Sequence, residues 1–107
     1  MQVFFHLIYE FQKGLRDLCL WTCRGEMCEK AKQSLASQNI EYIIIPVDDI
    51  KINIFFGMPI CLEIVKQFSC KELNKITDEE DFILGMMLGY AKHQQYTRLL
   101  TRKKICA

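Results

Sequence analysis

The chain reads as an α+β protein: a small mixed three-stranded sheet with a β-α-β-β core, packed against helices and followed by a long C-terminal helix. Three observations predict this. Two β-like segments, 41–47 and 51–56, flank an Asp48-Asp49 turn. A helical pattern fills the interval between them and an earlier strand at 18–23. Thr77 with Glu80 forms a capping-box signal that opens an apolar and then basic stretch reaching about Arg102.

The elements follow from the spacing of apolar residues. Residues 2–11 fit two periods, because Phe4, Leu7, Ile8 and Phe11 share a helical face while Val3, Phe5, Leu7, Tyr9 and Phe11 alternate as in a strand; a helix is the expectation taken. Gln12-Lys13-Gly14 then reads as a turn. From Leu18 to Cys23, Leu18, Leu20 and Thr22 point one way and Cys19, Trp21 and Cys23 the other, as in a strand. Glu26 to Gln38 is a helix with an apolar stripe of Cys28, Ala31 and Leu35, stopped at Asn39. The three isoleucines of Glu41–Val47 are apolar on both faces, the pattern of a central strand. Lys51–Phe56 alternates, so the two segments should form an antiparallel hairpin, with Pro46 at a strand end or facing an edge.

Pro59 suits the first turn of a helix running to about Phe68, and a short helical turn fits Lys71–Lys75. The last helix is expected after Thr77, its acidic start (Asp78, Glu79, Glu80, Asp81) and basic end (Arg98, Arg102, Lys103, Lys104) complementing the helix dipole. A helix between the first two strands implies a right-handed parallel crossover, with the third strand added antiparallel. One face of such a sheet packs on the helices, and a partner supplies more cover. All 107 residues fit one domain with one modest core.

Composition excludes several function classes. A net charge of +1 gives no broad attraction to nucleic acid or acidic membranes. No apolar run reaches the roughly 18 residues that span a bilayer. Val3–Ile8 lacks a basic region before it and Glu10 follows, so a secretory signal is not expected and the cytoplasm is. In that compartment the six cysteines (19, 23, 28, 61, 70 and 106) are expected as free thiols.

Taken together, Ile8-Tyr-Glu-Phe11 with Gly14-Leu-Arg16, Lys51-Ile-Asn-Ile-Phe-Phe-Gly57, and Thr77 to Tyr90 resemble an uncharacterised domain-of-unknown-function family of short bacterial proteins. The resemblance runs over nearly the whole chain, and Glu-Glu-Asp-Phe-Ile-Leu-Gly (79–85) is its most specific block. It implies a fold of three strands and several helices and a homodimeric state. It carries no reaction, cofactor or catalytic residue, and cysteines at 23, 28 and 70 are not part of its pattern.

Chemical motifs are sparse. There is no Cys-x-x-Cys, and His6 and His93 are distant in sequence, so no metal or cofactor is expected. Cys28, near a predicted helix N-terminus and close to Arg24, is the candidate reactive thiol, with Cys23 as its resolving partner; membership of a buried stripe is the preferred reading. The basic residues from Lys92 to Lys104 read as a solvated helix end, and no nucleic-acid partner is expected. Gly85 and Gly89 fall on one face of the expected last helix and permit close approach. Phe82, Gly85, Met86, Gly89 and Tyr90 are therefore the candidate dimer interface, equally compatible with packing against the chain's own sheet. The resulting expectation is a non-enzymatic cytosolic homodimer that binds a protein or small molecule; a thiol-dependent redox or sulfur-handling protein using Cys28 is the alternative.

Overall fold

In a computed structural model, which describes residues 1–104, the elements run α1 (Gln2–Gln12), β1 (Leu18–Arg24), α2 (Cys28–Ser37), β2 (Glu41–Pro46), β3 (Lys51–Gly57), α3 (Pro59–Lys66), α4 (Asp78–Met87) and α5 (Lys92–Arg102), with short 3-10 turns at Gly25–Met27 and Leu73–Lys75. The fold is α+β, as expected, and residues 2–12 are helical.

Three helices stop in the same way. At the ends of α1, α2 and α4, residues Gly14, Asn39 and Gly89 take positive φ angles of 76°, 57° and 80°. In each, the residue after the left-handed position donates to the carbonyl five residues earlier in the chain: Leu15 N–H to Glu10 O, Ile40 N–H to Leu35 O, and Tyr90 N–H to Gly85 O. These pairings satisfy carbonyls that the helix end leaves without partners. At α2 the motif also brings Ile40 against Leu35, both buried.

The sheet order is β1-β3-β2, and both neighbouring pairs are antiparallel. β1 and β2 are parallel to each other, as a helical crossover requires, but β3 lies between them. The expected mixed sheet is therefore antiparallel throughout. The Ile43-Ile44-Ile45 run, read as a central strand, is instead an edge strand. Its two apolar faces reflect helices on both sides of the sheet, which burial patterning cannot separate from a central position.

β3 takes the centre, buried from Asn53 to Gly57. Asn53, its one polar residue there, accepts the Thr22 hydroxyl hydrogen at 2.6 Å across the β1 ladder. Gly57 has φ 143°, and a Cβ there would lie 2.5 Å from Asp17 O, so the turn into α3 needs glycine. The β2–β3 turn is set by Asp48, whose Oδ1 accepts from Ile50 N–H at 2.8 Å and Lys51 N–H at 2.7 Å. Those backbone bonds hold the exposed Asp48 carboxyl below its ordinary range.

Helices cover both faces, where one was expected. On one, Phe4 and Ile8 of α1 and Ala31 and Leu35 of α2 pack with Cys19, Ile54 and Phe56. On the other, Leu18 and Phe55 meet Cys61, Leu62 and Val65 of α3, Ile76, and Leu84 with Leu88 of the α4 end.

The C-terminal region differs most from expectation. Gly89 ends α4, and α5 folds back against it, so the single long helix is a helical hairpin. Thr77 and Glu80 do form the expected capping box. The four acidic residues of the first turn of α4 do more than favour the dipole. Asp81 receives both Nε and Nη2 of Arg98 at 2.7 and 2.9 Å, and Arg102 Nη1 lies 2.8 Å from the same carboxylate. Arg102 also bonds Asp78 at 3.0 Å, and Lys103 pairs with Glu79.

The clamp makes the hairpin sensitive to acid. The Arg98 bond, with Arg98 and Arg102 charge behind it, holds Asp81 below its ordinary range, and Lys103 lowers Glu79. A depressed carboxylate contributes stability that is complete above its unfolded pKa of about 4 and disappears as pH falls through the folded value. Hydrogen exchange between pH 7 and about 3 should therefore show residues 92–102 losing protection before β3. Equal loss in both would place the acid sensitivity outside the clamp.

Candidate functional site

Helix termination changes the geometry of the residues singled out around the two glycines. Gly89 occupies the left-handed cap and not the stripe of Gly85. Gly85 is buried, and the side chain of Gln95 from α5 fills its notch: a Cβ would stand 2.6 Å from Gln95 Cδ. Phe82 is half-buried and stacks on Tyr96 of α5, with ring centroids 6.0 Å apart. Tyr90 is exposed in the turn, and Met86 is half-buried. Close approach at Gly85 thus serves the chain's own helical hairpin, and the five residues do not share one open face.

The turn after α4 has another internal role. Arg16 Nη1 donates to Leu88 O at 2.5 Å, and Arg16 Nε stands 3.3 Å from Glu10 Oε1. That second contact is electrostatic: the buried Nε makes no geometrically sound hydrogen bond. Arg16 therefore ties the end of α1 to the α4 end, joining two sequence blocks 72 residues apart.

The thiols are mostly passive. The five described cysteines form no disulfide; Cys106 lies outside the described residues. Burial pushes the Cys19 thiol up to about 11 against the opposing charge of Arg16, and its Sγ–H donates to Leu7 O at 3.5 Å. Burial likewise raises Cys61. Cys28 is the first residue of α2, two residues later than the expected start at Glu26, because Gly25–Met27 form a 3-10 turn. Its neighbour Cys23 is raised by burial and then by the charge of Cys28, which disfavours the thiolate a resolving partner needs.

Among the described residues, no group of three or more His, Cys, Asp and Glu is placed to hold a metal ion. Nor is any helix among them long and apolar enough to cross a membrane. Arg98, Arg102 and Lys103, expected as a solvated basic end, spend their charge on the acidic residues of α4.

The feature least expected from the sequence is the outer edge of β2. Val47 N–H donates to Lys51 O at 3.0 Å, which fixes the phase of the β2–β3 ladder. Residues 41, 43 and 45 therefore turn their backbone groups towards β3. Tyr42 and Ile44 turn theirs outward, where no strand meets them. Pro46 falls on the outward set, so its missing N–H costs the ladder nothing. The side chains of 42–45 are only half-buried, and no lysine guards the strand. Sequence reasoning missed this site because it placed β2 in the middle. The signal that could have found it was Pro46, already placed at a strand end or facing an edge but outweighed by the apolar run before it.

The sequence profile of the family described as "Protein of unknown function (DUF2023)" matches residues 2–102, and the chain belongs to that family. The match spans every helix and strand of the fold. Among curated proteins, none matches the chain.

Gly85 also yields a direct test of the helical hairpin. Gly85→Ala should destabilise the protein by about 1–3 kcal/mol through overpacking. Adding Gln95→Ala should recover much of that loss, measured by urea unfolding of both variants and of Gln95→Ala alone. Additive losses would mean that the two residues do not share the notch.

Proposed function

From membership of a family that assigns no activity, we propose that the protein is a non-enzymatic interaction protein of the cytoplasm, working as a homodimer joined along β2. The free β2 edge carries this reading. A twofold axis normal to the sheet keeps the two faces of the sheet in register across the junction. It can set Tyr42 against Ile44 of the second copy, so that each outward N–H and C=O of these residues is bonded and Pro46 falls at the end. The product is a continuous six-stranded antiparallel sheet.

A second copy suits the edge better than a charged partner does. The strand centre is apolar on both sides, and a chain of net charge +1 meets little repulsion from itself. α3, which lies over β2 and β3, carries Ile60 and Ile64 one turn apart, exposed by 64% and 37%. Extension of the sheet brings more apolar helix surface beside that stripe. The unpaired thiols of the described cysteines accord with a reducing compartment.

Light scattering coupled to size exclusion tests the assembly. The native chain should run with the mass of two copies. Ile44→Pro should remain folded by circular dichroism, since it removes an N–H that faces away from β3, and should run as a monomer. A monomeric native protein, or a folded Ile44→Pro dimer, overturns pairing through β2.

A further inference from the structure

The sheet face that carries Leu18 and Phe55 is incompletely covered. α3 and the end of α4 pack on parts of it, and between them the chain crosses as residues 67–77. Under that crossing lies a cavity of about 320 Å³ whose apolar walls are Ile43, Ile45, Val65, Phe68 and Leu73. A second hollow of about 420 Å³ adjoins it, sharing Lys71 and Leu73 and reaching Thr22 and Asn53 of the sheet.

Two polar groups border this pair of hollows where a ligand would meet them. Asn53 is 8% exposed. Its Oδ1 takes the Thr22 hydroxyl hydrogen, while its Nδ2 donor has no protein partner among the described residues. That Nδ2–H opens into the hollow, where a ligand oxygen would accept it. The second group is Lys71. Its neighbours are spoken for: Lys66 pairs with Glu63 and Glu72 with Lys75, each at 3.0 Å. Lys71 has no acidic partner among the described residues, which leaves one cation on the wall common to both hollows.

We propose that the two hollows form one binding site for a small amphipathic carboxylic acid. Its hydrocarbon body lies among the isoleucine, valine, phenylalanine and leucine side chains, and its carboxylate sits between the Lys71 ammonium and the Asn53 Nδ2–H. A single cation and a single amide donor suit a monoanion; no arginine fork is present for a phosphate dianion. The volume falls within the range of small-molecule sites, and an apolar lining with a few placed polar groups is their usual make-up. The neighbouring hollow lined by Gln95 and Tyr90 differs in this respect, because Asp81 already neutralises Arg98 there. The site lies on one sheet face and does not require β2 to pair with a second copy.

Calorimetry and amide-shift mapping on the full chain with octanoate, octanol and octylamine test the proposal. Octanoate should bind with shifts centred on residues 43, 45, 53 and 71–73, and more tightly than the other two. Lys71→Gln should weaken octanoate about tenfold and leave octanol unchanged. Leu73→Trp, which fills the apolar hollow from a half-exposed position, should abolish octanoate binding while circular dichroism reports a folded chain. Absence of octanoate binding overturns the site. So do equal affinity for octanol or octylamine, shifts centred elsewhere, or indifference to Lys71→Gln.

Discussion

Everything else in the fold is arranged around β3, the one strand bonded on both sides. It is buried on both faces as well, so its side chains anchor both hydrophobic clusters: Ile54 and Phe56 in one, Phe55 in the other. A strand in that position needs nearly continuous apolar character, and its single exception, Asn53, is tolerated because Thr22 answers it from the opposite strand. The Asp48 turn and Gly57 mark its ends. One sets the register with β2, and the other lets the chain pass close to Asp17 on its way into α3.

The C-terminal third is held by a different kind of force. α5 contributes only one buried residue, Gln95, and its attachment to α4 is largely ionic. Exposed ion pairs are individually weak, but here several share carboxylates at one helix start, and Asp81 is bonded by two arginines. Glu80 extends the network in another direction. Its carboxylate accepts the Thr77 N–H that completes the capping box, and also the Ser69 N–H and hydroxyl at 2.7 and 2.6 Å. One side chain thus caps α4 and pins the start of the segment that crosses the sheet. Those bonds hold Glu80 below its ordinary range.

Local signals were legible in the sequence, and the non-local arrangement was not. The capping box, Pro59 at the start of α3, the Asp48 turn, the left-handed Asn39 and the opposite faces of β1 all follow from short-range chemistry. Strand order does not. Ile43-Ile44-Ile45 and Ile52–Phe56 both demand cover on two faces, and periodicity cannot say which of them lies inside. The break at Gly89 was hidden by continuity of pattern: acidic residues at 78–81 and basic ones at 98–104 complement one helix dipole as well as they complement each other across a hairpin. The hollows around Asn53 and Lys71 gave no signal, because their walls come from β1, β2, β3, α3 and the crossing segment, which are brought together only by folding.

The placement of β3 between β1 and β2 has a consequence for synthesis of the chain. Once residue 46 has emerged, β1, α2 and β2 exist as sequence, yet the two strands cannot close on each other in their native positions. Those positions are two strand spacings apart, about 10 Å, and the filler comes next in the chain. Until Gly57 is made, the isoleucines of β2 lack their native neighbour on the inner side, and both of the strand's edges are open. The Asp48 turn limits that interval, because it hands β2 its own partner within a few residues and leaves only the outer edge unmatched.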